Sequence, residues 1–255
     1  SNDLEMLFNP CVEIGMRGYA PDGRSGFEFC NLCEINGGKS TTVEMFYHQC
    51  KVASIMGTLQ AGYTNFKYVS SATKEIVERE ALIGVSITGW MNNPAVLGNK
   101  EVLEEGARIV LEWNKITAKL IGINPAPRTT CVKPSGNASV LLETASGIHG
   151  EHSPMYIRNV QINKESDIAK AIIETNPSMV EDSLWAPNDY VISFPVMSPE
   201  GSIYKKDLLG VKQLDWVKFV QQTWIEAGTD ESLSVQADMR HNVSNTISVD
   251  DWDEV

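Results

Sequence analysis

The sequence predicts an α/β fold built from parallel βα units, and three observations carry that prediction. Residues 82–90, Leu-Ile-Gly-Val-Ser-Ile-Thr-Gly-Trp, are β-rich and almost continuously apolar, as in a strand buried on both faces. Residues 101–120 repeat Val102, Leu103, Ile109, Val110, Trp113, Ile116 and Leu120 at helical spacing. Strands and helices of a dozen or more residues then alternate along the chain, the order expected when crossover helices join parallel strands.

The elements follow in order. Residues 14–29 read as a loop, because Pro21-Asp22-Gly23-Arg24-Ser25-Gly26 is dense in turn formers. Residues 27–35 read as a strand that Gly37-Gly38 ends. Thr41 or Thr42 caps a helix over 43–59, with Met45, Phe46, Val52, Ile55, Met56 and Leu59 as its apolar stripe. After the strand at 82–90, Asn92-Asn93-Pro94 breaks the chain, and Gly122 and Pro125 terminate the helix 101–120. Residues 128–133 form a short strand closed by Pro134-Ser135-Gly136, which leads into a possible helix. A minor strand at 156–162, a helix at 164–175, a strand at 190–196, a helix at 214–227 and a strand at 242–249 complete the count. Five main strands result, and without repeats or a linker the whole of 1–255 is expected to be a single domain.

Bulk properties narrow the function. The net charge of −12 opposes non-specific binding to nucleic acid or an anionic membrane, so a polyphosphate site must be locally favourable. No apolar run approaches the roughly 20 residues of a membrane helix, and the acidic start lacks a signal peptide's apolar segment. Five cysteines, an odd number in a chain this long, do not make a disulfide scaffold and point to a reducing cytosol, hence a cytoplasmic location.

The stretch with most chemistry is Asn9-Pro10-Cys11-Val12-Glu13. In an extended segment alternate residues point the same way, so Asn9, Cys11 and Glu13 would line one wall with an amide, a thiol and a proton acceptor. Pro10 favours extension of Asn9. On these five residues alone, a buried cysteine in a turn is the favoured reading. Cys30-Asn31-Leu32-Cys33 holds a CxxC spacing, which fits a redox pair or half a zinc site. On one strand the two thiols would face opposite ways, and no second CxxC or His pair supplies more ligands, so no metal is expected. Cys33, Cys50 and Cys131 read as packed thiols. Pro134-Ser135-Gly136-Asn137-Ala138, after a strand and before a helix, could present backbone N–H groups to an anion, or be an ordinary turn. His149, His152 and Arg158 could add positive charge.

Asn9-Pro10-Cys11-x-Glu13, Cys30-Asn31-Leu32-Cys33-Glu34-Ile35-Asn36, Lys133-Pro134-Ser135-Gly136 and Ser146-Gly147-Ile148-His149 stand in this order. Together they resemble the catalytic half of ribonucleotide reductases, closest to the monomeric adenosylcobalamin-dependent triphosphate reductases (class II), over about residues 9–249. The resemblance implies the second half of a ten-stranded α/β barrel, five parallel strands with helices, and a central finger loop at residues 9–13. Cys11 would sit at the loop tip, enclosed by the strands, and the first half of the barrel is missing. A half barrel leaves open edges, so a partner chain or parent polypeptide is expected.

The resemblance also implies roles. Cys11 would carry a thiyl radical, Glu13 would accept the 3′-hydroxyl proton, and Asn9 would orient the substrate hydroxyls. Cys30 would deliver reducing equivalents and face the cavity while Cys33 faces away; its disulfide partner belongs to the missing half. Pro134, Ser135, Gly136, Asn137 and Ala138 would hold the phosphates, with Asn137 standing where relatives usually have Thr. The expected substrate is a ribonucleoside triphosphate, the cofactor adenosylcobalamin and the reductant a thioredoxin-like dithiol protein. Two other readings stay open: another thiyl- or glycyl-radical enzyme sharing the barrel, and an inactive half barrel acting as an assembly subunit.

Overall fold

The computed structural model describes residues 6–251. These fall into two compact units, one made of the residues up to Glu151 with those from Gly201 onward, the other of His152–Glu200.

In the first unit the chain opens with a hairpin. Strand β1 (Leu7–Phe8) pairs antiparallel with β2 (Gly15–Met16), so residues 9–14 form its tip. Strand β3 (Asn31–Asn36) then pairs in parallel with β4 (Ile83–Thr88) along its full length. The expected strand at 27–35 thus starts four residues late. Between β3 and β4 run helix α1 (Val43–Ala61), capped by the Thr42 hydroxyl, and helix α2 (Ser71–Glu80), capped by Ser70. Sequence reasoning placed α1 and assigned nothing to α2, whose ten residues carry a short apolar set. A single turn, α3 (Pro94–Leu97), precedes α4 (Lys100–Ile121), which runs between an Asn99 cap and a left-handed Gly122, as its periodicity predicts.

Residues 128–132 continue the parallel arrangement through bridges: Thr130 pairs with Val85, and Val132 with Val243. The expected strand at 242–249 is reduced to that one bridge. The expected strand at 190–196 does not join this sheet. It is part of β7 (Asp189–Met197), which lies in the second unit between β5 (Met155–Asn163) and β6 (Val180–Asp182), antiparallel to both. So four extended segments, not five, run parallel among the described residues. The error is physical: an apolar alternating run shows that a strand forms, not which neighbour supplies its hydrogen bonds. Helices α5 (Gly136–Leu141), α6 (Asp167–Thr175) and α7 (Val211–Val220) complete the list, with α6 in the second unit.

The first unit's core lies on one face of the parallel sheet. Ile35, Ile83, Val85 and Ile87 pack with Phe46 and Cys50 of α1, Leu103 and Val110 of α4, and Trp224 and Ile225. The last two sit in a π-helical turn, Gln221–Ile225, that extends α7. That turn meets the sheet by hydrogen bonds. Thr130 Oγ1 donates to the Trp224 carbonyl at 2.6 Å, and Trp224 Nε1 donates to the Cys131 carbonyl at 3.1 Å. No helix among the described residues is long and apolar enough to cross a membrane.

Candidate active site

Pairing fixes which residues share the other face. Leu32 sits opposite Gly84, and Val85 opposite Thr130, so side chains alternate across the sheet. One face takes Cys33, Ile35, Val85 and Val132 into the helical core. The opposite face carries Cys30, Leu32, Leu82 and Cys131 against Ile14 of the hairpin. Cys30 and Cys33 therefore do face opposite ways, as their odd separation predicts. At Gly84 an added Cβ would come within 2.8 Å of Ile14 and 2.7 Å of Leu32, so this position lets the hairpin lie directly on the sheet.

The hairpin is held at its base by three buried side chains from other segments of the chain. His241 Nδ1 accepts from Gly15 N at 3.1 Å, while its Nε2 meets the Ile83 carbonyl at 3.0 Å. The ring is therefore neutral with its proton on Nε2, and burial and the nearby Arg128 charge push its pKa down to about 3. Arg128, fully buried, donates from Nε to the Gly15 carbonyl and from Nη2 to Glu80. Glu28 Oε2 accepts from Arg17 N at 2.5 Å. Burial, then the charge of Glu80, raises the Glu28 carboxyl to about 8. A buried Arg–Glu pair costs desolvation unless its remaining groups are bonded. Here Arg128 Nη1 and Glu28 Oε1 are both buried without a partner.

The tip differs from expectation. Val12 N donates to the Asn9 carbonyl at 2.9 Å, and Val12 has φ of 64°, so residues 9–12 form a β-turn with Pro10 at its favoured second position. They are not extended, and Asn9, Cys11 and Glu13 do not share one wall. Asn9 Oδ1 turns back to accept from Ile14 N at 3.0 Å. Cys11 stands exposed at the tip rather than enclosed. Glu13 is 1% exposed, and its Oε2 has no hydrogen-bond partner. Asn242 clasps the loop from the neighbouring segment, its N–H donating to the Glu13 carbonyl and its Nδ2 to that of Val12. The turn wins over extension because it satisfies three backbone groups locally, which the Asn-Pro start permits.

Glu13 and Cys30 are brought together electrostatically. The Cys30 thiol is pushed well up by burial, then by the charges of Glu28 and Glu13, so it stays protonated at neutral pH. The Cys131 thiol is raised by burial and by Cys30 and Glu13. Cys33 lines an open cavity of about 520 Å³ that runs along β3, with Leu32, Glu34 and residues of α1 also in its wall. The described residues hold no group of three or more His, Cys, Asp and Glu side chains placed for a metal.

The Lys133–Ala138 segment adjoins this face through Glu34, a residue the sequence reading passed over. Glu34 Oε1 accepts from Ser86 Oγ at 3.1 Å and from Ser135 Oγ in a short contact. Ser86 Oγ in turn accepts from Lys133 N at 2.9 Å. Ser135 is left-handed, at φ 56°, and immediately precedes α5. Its hydroxyl is thus engaged with Glu34 rather than free for an anion. Around Gly136 nothing lies within 4 Å of an added Cβ, so the backbone of Gly136, Asn137 and Ala138 borders open space. Ser146 and Gly147 support the turn from behind. Ser146 Oγ donates to the Pro134 carbonyl at 2.5 Å, and Gly147, at φ 51°, leaves only 2.4 Å between an added Cβ and the Lys133 carbonyl. His149 is bonded on both nitrogens, to the Ser146 carbonyl and Thr246 N. His152 and Arg158 belong to the second unit.

No protein-family model matches the chain. Curated proteins do. A probable adenosylcobalamin-dependent ribonucleoside-triphosphate reductase of Dictyostelium discoideum is 24% identical over 222 residues, 86% of this chain. Further curated proteins similar to this chain are adenosylcobalamin-dependent ribonucleoside-triphosphate reductases. The one from Euglena gracilis is 25% identical over 226 residues, 86% of this chain, and that of Lactobacillus acidophilus is 22% identical over 269 residues, 92% of this chain. The chain spans 28%, 29% and 34% of these three reductases. A crystal structure of a B12-dependent (class II) ribonucleotide reductase matches with a TM-score of 0.69 at 18% identity, covering 94% of this chain and 34% of that one. The α/β fold is thus shared with a reductase.

Glu34, Glu28, Arg128 and His241 were not found from sequence. Each is an isolated polar residue in an apolar stretch or a loop, and only Glu34 stood inside a motif.

Proposed function

We propose that this chain supplies the finger-loop half of a ribonucleoside-triphosphate reductase, the second half of its ten-stranded barrel, and works with the polypeptide that provides the rest. The observation that carries the reading is the composition of one sheet face. A hairpin with a thiol at its tip is pinned over a protonated thiol just before β3, a buried carboxylate and a backbone turn that borders open space.

The proposed roles follow the chemistry of each group. Cys11, once its own S–H hydrogen has been removed, is the thiyl radical that takes a hydrogen atom from the ribose 3′ carbon. Glu13, buried with an unpartnered oxygen, accepts the 3′-hydroxyl proton. Asn9 orients the substrate through its amide. Cys30, held neutral, gives its hydrogen as the 2′ hydroxyl leaves as water, and the two electrons leave two thiols joined as a disulfide. Its partner thiol and the dithiol protein that restores the pair lie outside this segment. The phosphates meet the N–H groups of Gly136, Asn137 and Ala138, since the Ser135 hydroxyl is occupied. Adenosylcobalamin supplies radical chemistry when bound. The exposed Cys11 thiol is the residue here that fits an approach by such a group, because the other described thiols are half-buried or buried.

The test is reconstitution of this chain with the remainder of the reductase, adenosylcobalamin, a dithiol and a ribonucleoside triphosphate. Formation of the deoxyribonucleotide is the expected result. A folded, nucleotide-binding complex that forms none would favour an assembly subunit.

A further inference from the structure

Glu34 is unusual among the described residues of this face. Its Oε1 is bonded by two serine hydroxyls, from β4 and from the turn before α5. Its Oε2 is sealed from solvent yet has no partner. Glu34 follows Leu32 at two-residue spacing on β3, and Leu32 packs with Ile14 of the hairpin, so Glu34 projects to the side where Glu13 lies. An isolated buried acceptor is costly, and more so if charged. A carboxyl retained in that state is best explained by a group that arrives to meet it.

We propose that Glu34 faces the ligand and donates a hydrogen bond from its Oε2 hydroxyl to the sugar portion of a nucleotide whose phosphates occupy the Gly136–Ala138 turn. This deepens the reductase reading and rests on it. The neutral acid suits the geometry. Both serines donate to Oε1, so in the neutral acid Oε1 is the carbonyl acceptor and Oε2 carries the proton. The charged groups around it pull both ways. Burial, first, and the Glu13 charge raise its pKa, while the Ser135 and Ser86 hydrogen bonds and the Lys133 ammonium lower it; the net direction is upward. A donor placed there adds a directional contact in a region where the net charge gives an anionic ligand no help.

The test compares two probes on the reconstituted complex by titration, a ribonucleoside triphosphate and inorganic triphosphate. Glu34→Ala should weaken the nucleotide by about tenfold while leaving inorganic triphosphate unchanged, because only the former carries the sugar. Glu34→Gln keeps an acceptor for the serines and an N–H donor, and should recover most of the lost affinity. Equal weakening of both probes by Glu34→Ala would make Glu34 a prop for the turn and overturn the proposal. So would unchanged nucleotide affinity, or a Glu34→Gln variant as weak as Glu34→Ala. If the unaltered complex turned over nucleotide while these variants bound like it, the reductase reading would stand and this inference would fall. An unaltered complex that bound no nucleotide would remove both.

Discussion

The two faces of the parallel sheet are made from the same strands, residue by alternate residue, yet they obey different rules. On the helix side Ile35, Ile83, Val85, Ile87 and Val132 meet α1, α4 and the π turn in one large apolar cluster that also takes in Tyr47 and the Cys33 and Cys50 thiols. On the hairpin side the apolar patch shrinks to Ile14, Leu82 and Cys131, ringed by Glu13, Glu28, Cys30, Glu34 and Arg128. Several of those side chains keep one buried polar atom without a partner. The helix side stabilises by burial, roughly 25 cal/mol per Å² of apolar area. The hairpin side gives up stability, since each unpaired buried polar atom costs free energy. Such a cost is commonly concentrated where chemistry occurs.

Substitutions should separate the faces. The largest effect is expected at the hairpin tip. Cys11→Ser should abolish deoxyribonucleotide formation by the reconstituted enzyme, because an alcohol O–H bond is too strong for the same radical cycle. Since Cys11 is exposed, circular dichroism and melting should be unchanged. Turnover by that variant would remove the radical assignment. On the helix side the converse should hold. Trp224→Ala removes a fully buried indole and its hydrogen bond, and should cost about 3–5 kcal/mol in denaturant unfolding. A loss under about 1 kcal/mol would show that this face is not the stabilising one.

A smaller effect is expected at the turn before α5. Gly136→Val meets open space, so the fold should persist, while nucleotide affinity should fall by about 1–3 kcal/mol as phosphate hydrogen bonds are lost. Titration showing unchanged affinity in the folded variant would leave the turn without a phosphate role.

The smallest effect concerns pH. Glu28, raised to about 8 when folded, binds a proton that the unfolded chain has released. Its contribution is full below the unfolded carboxylate pKa and is lost as pH climbs through about 8. His241, depressed to about 3, has the opposite sign: its contribution is present above the unfolded imidazole pKa and lost as pH falls toward about 3. Glu28→Gln should therefore flatten the decline in stability on the alkaline side, a slope of at most about 1.4 kcal/mol per pH unit, and leave the acid side alone. An unchanged alkaline limb would show that Glu28 is not the group responsible.

What the sequence disclosed follows from how local each signal is. Helix α4 was legible almost to its ends because its apolar stripe lies within it and Gly122 directly follows it. The opposed directions of Cys30 and Cys33 followed from strand period alone. The strand at 190–196 was found but given the wrong neighbours, since hydrogen-bond partners are long-range. The tip at residues 9–13 was expected to be extended, and a four-residue turn prevailed over a two-residue preference of Pro10. The polar props of the hairpin, Glu28, Arg128 and His241, come from three distant stretches and leave no periodic trace. The motifs stand in order along the chain, but only folding brings Glu34 onto Ser135.

The comparison of faces is tested most directly by mapping thiols after a single turnover of the reconstituted enzyme. Mass spectrometry should find Cys30 oxidised in step with deoxyribonucleotide formed, with Cys33 still free on the helix side. An internal Cys30–Cys33 disulfide, or product formed with Cys30 still reduced, would contradict the assignment of the chemistry to the hairpin face.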